Sequence, residues 1–281
     1  MSPLAKYLFM FLINHTGPGK SVYSMELMPE CGTDQETPTC ATVPVCASSS
    51  PLCSAPRWSA FRGGWVKVET KEEAAKRYLN AAEALADTAV YLTRCIDESG
   101  NVQEGCTPIY WPEGPRSAAC AILSSSIWES GYREDIMTGA PPAGRGSQGE
   151  ACLMQVMPQY IADNASWLSP EQKKGLSQDE VVQMVLGTDK PSLSRCYEVG
   201  GRLLSRFRRA TRTCGGHSWV YSMYSGYGTG GRCRESTWSQ DRERTYKTCM
   251  ARWPDGEKIP DWASSVLTAD IHGDSLVAAL E

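Results

Sequence analysis

The hydrophobic and polar positions of the chain fall into blocks. The first is a single apolar run, Tyr7-Leu8-Phe9-Met10-Phe11-Leu12-Ile13, far short of the roughly 18 residues a membrane span needs. From Thr70 the pattern becomes helical. Thr70 and Glu73 form a capping box, and Ala75, Tyr78, Leu79, Ala82, Leu85, Ala89 and Leu92 recur at three- and four-residue steps. Glu98-Ser99-Gly100-Asn101 is the expected stop. A second helix is predicted from about Pro115 to Ser130, rich in small residues through Ala118 and Ala119. Such residues let helices pack closely at a domain centre. A Gly/Pro-rich loop follows from Gly139 to Gly146.

Ser177 and Glu180 make another capping box, ahead of Val181, Val182, Met184, Val185 and Leu186. Ser192 is the expected start of a long helix with Leu193, Cys196, Tyr197, Gly200, Leu203, Leu204 and Phe207 on one face. Shorter helices are expected at 218–225 and 235–250. No stretch alternates as a strand should. Residues 67–252 therefore predict a mainly α domain with long loops. Residues 1–66 form a hydrophobic start followed by a segment in which 17 of the 31 residues from Glu26 to Pro56 are Cys, Pro, Ser or Thr. Residues 253–281 form an acidic tail.

Composition adds two facts. At 41% hydrophobic and 21% charged residues, the chain is globular rather than collagenous, coiled-coil or wholly disordered. Its 12 cysteines are even in number and include no Cys-x-x-Cys pair. Disulfides in an oxidising compartment are the expected state. Cys95 and Cys106 bracket a short polar loop that one bridge would close. A metal set of Cys214, His217, Cys233 and Cys249 lacks the usual second close ligand pair, so neither a metal nor a cofactor is expected. Lys6 and the apolar run could be a minimal export signal, but no small-x-small cleavage site follows promptly. The alternative is an ordinary hydrophobic segment.

The net charge of −4 hides a gradient: residues 192–252 carry twelve basic and four acidic side chains. Such a block suits an anionic partner. No nucleic-acid-binding motif stands out and the whole chain is acidic, which disfavours nucleic acid. An anionic cell-wall glycan fits as well. Arg202, Arg206 and Arg209 share one helix face and are expected to point at solvent or at that partner.

Three segments carry candidate chemistry. In Ser126-Ile127-Trp128-Glu129-Ser130-Gly131-Tyr132 a carboxylate ends an apolar helix beside a Trp. Burial disfavours the charged form of a carboxyl, which is what a general acid requires. In Gly149-Glu150-Ala151-Cys152-Leu153-Met154-Gln155-Val156-Met157-Pro158, Gln155 is the one uncharged hydrogen-bonding side chain. In Met223-Tyr224-Ser225-Gly226-Tyr227-Gly228-Thr229-Gly230-Gly231 a helix runs into glycines that let a ligand approach the backbone.

Taken in this order, the segments resemble the soluble lytic transglycosylases and the related goose-type lysozymes. These have a Glu-Ser pair, a Gly-Leu-Met-Gln-like segment and an Ala-Tyr-Asn-x-Gly-like segment. The resemblance covers roughly residues 115–235. Here Cys152 stands where the family usually has Gly, Ser225 stands where it usually has Asn, and the Glu129–Gln155 spacing is longer than usual. The resemblance implies a lysozyme-like helical domain that cleaves peptidoglycan glycan strands. Glu129 would be the catalytic acid at the bond between N-acetylmuramic acid and N-acetylglucosamine. Ser130 would support it, Met154 and Gln155 would line the sugar cleft, and Tyr224 would steady the acid or the sugar. Trp128, Tyr132 and Tyr227 would be stacking platforms. Glu134, Asp135 and Glu150 are candidates for a second carboxylate. A single-acid transglycosylation giving 1,6-anhydro ends is preferred over lysozyme-type hydrolysis. An alternative is a phage-tail or secretion-apparatus component carrying a wall-penetrating module, with virion or apparatus proteins as partners. Either way the expected location is extracytoplasmic: periplasmic, secreted or virion-associated.

Overall fold

A computed structural model describes residues 1–16, 45–46, 57–59, 64–66, 69–93, 109, 111–140, 144–210 and 214–251. The described fold is mainly helical. The apolar run at the start forms α1 (Pro3–Thr16). All seven residues from Tyr7 to Ile13 are buried, as an all-round apolar helix requires. It packs on α2 (Lys71–Thr93), so the boundary expected near Trp65 separates in sequence two helices that touch in space. Between them, among the described residues, lie four short strands. β1 (Val45–Cys46) pairs in parallel with β4 (Glu69–Thr70), and β2 (Arg57–Ser59) is antiparallel to β3 (Gly64–Val66). At two or three residues, none is long enough to show the alternation that betrays a strand in sequence.

α3 (Pro115–Ser130) is the central helix, with every residue from Ser117 to Ile127 buried. Pro115 opens it where a missing N–H costs nothing, and Gly131 closes it at φ 58°, a left-handed cap. Two of its interior serines bond back along the helix: Ser124 Oγ donates to the Cys120 carbonyl at 2.7 Å and Ser126 Oγ to the Leu123 carbonyl at 3.0 Å.

Four short helices follow: α4 (Glu134–Thr138), α5 (Pro158–Asn164), α6 (Pro170–Gly175) and α7 (Gln178–Gln183). The capping box at Ser177 and Glu180 is present and starts α7. α8 (Lys190–Ala210) begins earlier than expected. The Asp189 carboxylate accepts from the Ser192 N–H at 3.0 Å, so Asp189 caps the helix and Ser192 lies in its first turn. Gly200 and Gly201 of α8 are sites of close approach. A Cβ on Gly200 would collide with the Met154 side chain, and one on Gly201 would stand 2.9 Å from Ile122 of α3. α9 (Trp219–Thr229) and α10 (Thr237–Ala251) complete the fold. Among the described residues, no helix is long and apolar enough to cross a membrane.

Among the described residues, three disulfides staple this body. Cys120–Cys249 ties α3 to α10, Cys152–Cys196 ties the segment before α5 to α8, and Cys214–Cys233 spans α9. They consume all three cysteines of the metal set considered above. They also fit an oxidising, extracytoplasmic environment. The expected Cys95–Cys106 loop and the 253–281 tail lie outside the described residues.

Candidate functional site

Glu129 sits one residue from the end of α3, its side chain 17% exposed. Arg242 of α10, 5% exposed, donates from Nη2 to Glu129 Oε1 at 2.6 Å. Burial pushes the Glu129 carboxyl above the ordinary range. Arg242 opposes this through its charge and its hydrogen bond, and Glu150 adds a smaller upward push. Burial prevails. The buried cation keeps the ionised form accessible, and a short charge-assisted hydrogen bond fixes the carboxylate in place. The α3–α10 pairing that joins Glu129 to Arg242 is locked further along both helices by Cys120–Cys249.

Glu129 opens into a cleft of about 530 Å³ that also takes in Trp128, Glu150, Gln155 and Tyr227. All three sequence segments therefore reach it. The second segment is a tight turn closed by an antiparallel bridge between Ala151 and Val156, and Pro158 at its end begins α5. Cys152 and Gln155 hold left-handed backbone at φ 59° and 46°, a region L-residues rarely visit. That conformation is what a Gly at position 152 would supply without strain, and the bond to Cys196 holds it here instead. The Gln155 amide Nε2 donates to the Cys152 carbonyl at 3.0 Å. Tyr227 donates to the Met154 carbonyl at 2.7 Å, joining the third segment to the second. The indole N–H of Trp128 donates to Thr245 Oγ1 at 2.9 Å.

Four residues expected at the acid or the substrate lie behind the cleft instead. Ser130 is buried and donates to the Ser126 carbonyl at 2.7 Å, shaping the helix end. Tyr132 is fully buried, its hydroxyl 2.8 Å from Ser126 Oγ and accepting from Tyr197 at 3.0 Å. It is a core residue, not a platform. Met154 is buried against Gly200, and only its carbonyl is engaged, by Tyr227. Tyr224 is buried and donates to the Ala121 carbonyl at 3.0 Å, so it braces α3 rather than the acid or the sugar. Ser225 holds the loop after α9, donating to the Arg234 carbonyl at 3.0 Å and accepting from the Arg234 N–H at 2.9 Å.

The candidate second acids separate clearly. Asp135 is held inside the fold. It lies in α4, buried and paired with Arg133 at 2.9 Å. Glu134 shares that short helix and is not among the cleft residues. Glu150 does line the cleft, but its Oε2 accepts from the Gln148 N–H at 2.9 Å, and a Cβ at Gly146 would collide with it. It is tied to its own loop.

The basic face is also less free than expected. Arg202 is half-buried and bonded to Glu198 at 3.1 Å, while Arg206 and Arg209 are exposed. Arg208 is a structural residue. Both its terminal nitrogens bond Glu113 at 2.6 Å, and its guanidinium stacks 3.8 Å from the Trp219 ring centroid. That bond holds the Glu113 carboxyl below its usual range. Sequence reasoning missed Arg242, Trp238 and Tyr160, all at or beside the cleft. The available signal was Trp238 and Arg242 spaced one helical turn apart inside the basic block. No protein-family model, curated protein or solved structure matches this chain.

Proposed function

We propose that the protein cleaves peptidoglycan as a lytic transglycosylase, with a lysozyme-like helical domain and Glu129 as its single acid. The observation that carries this reading is a carboxyl raised by burial at the end of a central helix, open to a cleft reached by all three motif segments. In the protonated form Glu129 donates to the glycosidic oxygen as the C1–O bond of the muramyl residue breaks. The C6 hydroxyl of the same residue then attacks C1, and its proton passes to the Glu129 carboxylate. The anhydro ring forms and the acid is restored. Arg242 stabilises the carboxylate between these steps. Purified on its own, the chain is expected to clear suspended cell walls. Binding without clearing would favour a structural module instead.

A second reading, hydrolysis, rests on Glu150, which lines the same cleft. Inverting hydrolysis needs a second carboxyl about 6.5–9.5 Å away, free to activate water. The attachment of Glu150 to its loop argues for the single-acid reaction.

Arg242 gives this reading a pH signature. Glu129 works as an acid only while protonated, so activity falls as pH rises through its folded value. Arg242 lowers that value against the stronger effect of burial. Arg242→Gln is therefore expected to move the alkaline limb of the kcat/KM profile to higher pH, with Arg242→Lys staying nearer the wild type. An alkaline limb that stays fixed or moves down in the Gln variant would contradict the role assigned to Arg242.

A further inference from the structure

Resting on the glycan-cleaving reading, we infer that Trp238 is a sugar-stacking platform, a subsite for the flat face of an N-acetylhexosamine ring next to Glu129. Among the described residues the exposed large hydrophobic side chains are Val90, Tyr91, Tyr160 and Trp238. Trp238, at 59% exposure, is the most open of them. Of these four, Tyr160 and Trp238 line the cleft. A large indole left in water loses the burial that normally stabilises it, and a ring-shaped ligand with an apolar C–H face would restore it.

The position of Trp238 is fixed from the acid outward. It lies in the first turn of α10. Its carbonyl accepts from Arg242 Nη1 at 3.2 Å, and the same guanidinium stands 5.6 Å from its ring centroid. The other terminal nitrogen of Arg242 holds Glu129. One buried guanidinium therefore meets both the acid and Trp238, and both residues line the same cleft, so a sugar stacked on Trp238 lies beside the reacting bond. The rest of the lining suits an N-acetylated sugar. Ser147 and Gln148 supply hydrogen-bonding groups, and Leu203 and Phe207 supply an apolar wall suited to an acetamido methyl group.

The test uses the full chain and two readouts. The first is the KM and kcat of cell-wall clearing for the wild type, Trp238→Ala and Trp238→Phe. The expected result is a KM raised about tenfold in the Ala variant, the scale of one lost aromatic contact. A much smaller change in kcat and a partial rescue by Phe should accompany it. The second is titration with tetra-N-acetylchitotetraose in the Glu129→Gln background, where turnover cannot confuse binding. Adding Trp238→Ala should weaken that binding by a similar factor. Wild-type clearing with KM unchanged in Trp238→Ala overturns the platform and leaves the proposed function standing. A wild type that neither clears walls nor binds the oligosaccharide overturns both.

Discussion

Glu129→Gln is expected to lower wall cleavage by about 10²–10⁴-fold, the usual contribution of a general acid, while leaving the fold intact. The amide is nearly isosteric and keeps an oxygen that can accept from Arg242 Nη2, now 2.6 Å from Oε1. It cannot donate an acidic proton to a leaving oxygen. Rates of muropeptide release, with thermal unfolding of the same sample, check both halves. A variant that keeps more than about a tenth of the wild-type rate would remove Glu129 from the chemistry. One that loses activity only because it is unfolded would show this in the melting curve.

The second large effect is on stability and runs through the Cys120–Cys249 bridge. It closes a separation of 129 residues, against 19 for Cys214–Cys233. In the chain-entropy account, long loops gain more from cross-linking, roughly 4–5 kcal/mol against about 3 kcal/mol here. Replacing Cys120 and Cys249 together by Ser should therefore destabilise the protein more than replacing Cys214 and Cys233. It should also cost activity, because α10 carries Arg242 to Glu129. Denaturant unfolding gives the first comparison and wall clearing the second. Equal or reversed losses in unfolding free energy would contradict the ordering. An unfolding curve and a clearing rate that match wild type would show that α10 is held by packing alone.

Much of the helical scaffold was legible because its signals are local. The three- and four-residue steps of α2, the Pro-to-Gly limits of α3 and the Ser177–Glu180 box each specify an element within a few residues. α1 was ambiguous for a physical reason: a helix apolar on all sides reads the same whether it is a core helix or the middle of an export signal. α4 and α5 are set by tertiary context, and at one to two turns they are too short for periodicity. At the site, the reading reached Glu129, Gln155 and Tyr227 through motif segments. It placed Ser130, Tyr132, Met154 and Tyr224 at the cleft surface, where the structure does not put them, because adjacency in a motif does not say which side of a helix or turn a side chain occupies. Arg242 carried only its spacing from Trp238 as a signal. It meets Glu129 across 113 residues of sequence, and within a basic block a cation destined for burial looks like its solvated neighbours. Arg208 was missed for the same reason, since its partner Glu113 lies on a distant segment.

The most direct test of the central claim is the mass of the soluble products from purified peptidoglycan digested with the wild-type chain. Transglycosylation by Glu129 predicts disaccharide-peptide fragments one water lighter than their hydrolytic counterparts, with 1,6-anhydro-muramyl ends, and none from the Glu129→Gln variant. Fragments carrying reducing ends would assign the cleft to hydrolysis. No release of fragments by the folded wild-type protein would contradict glycan cleavage altogether.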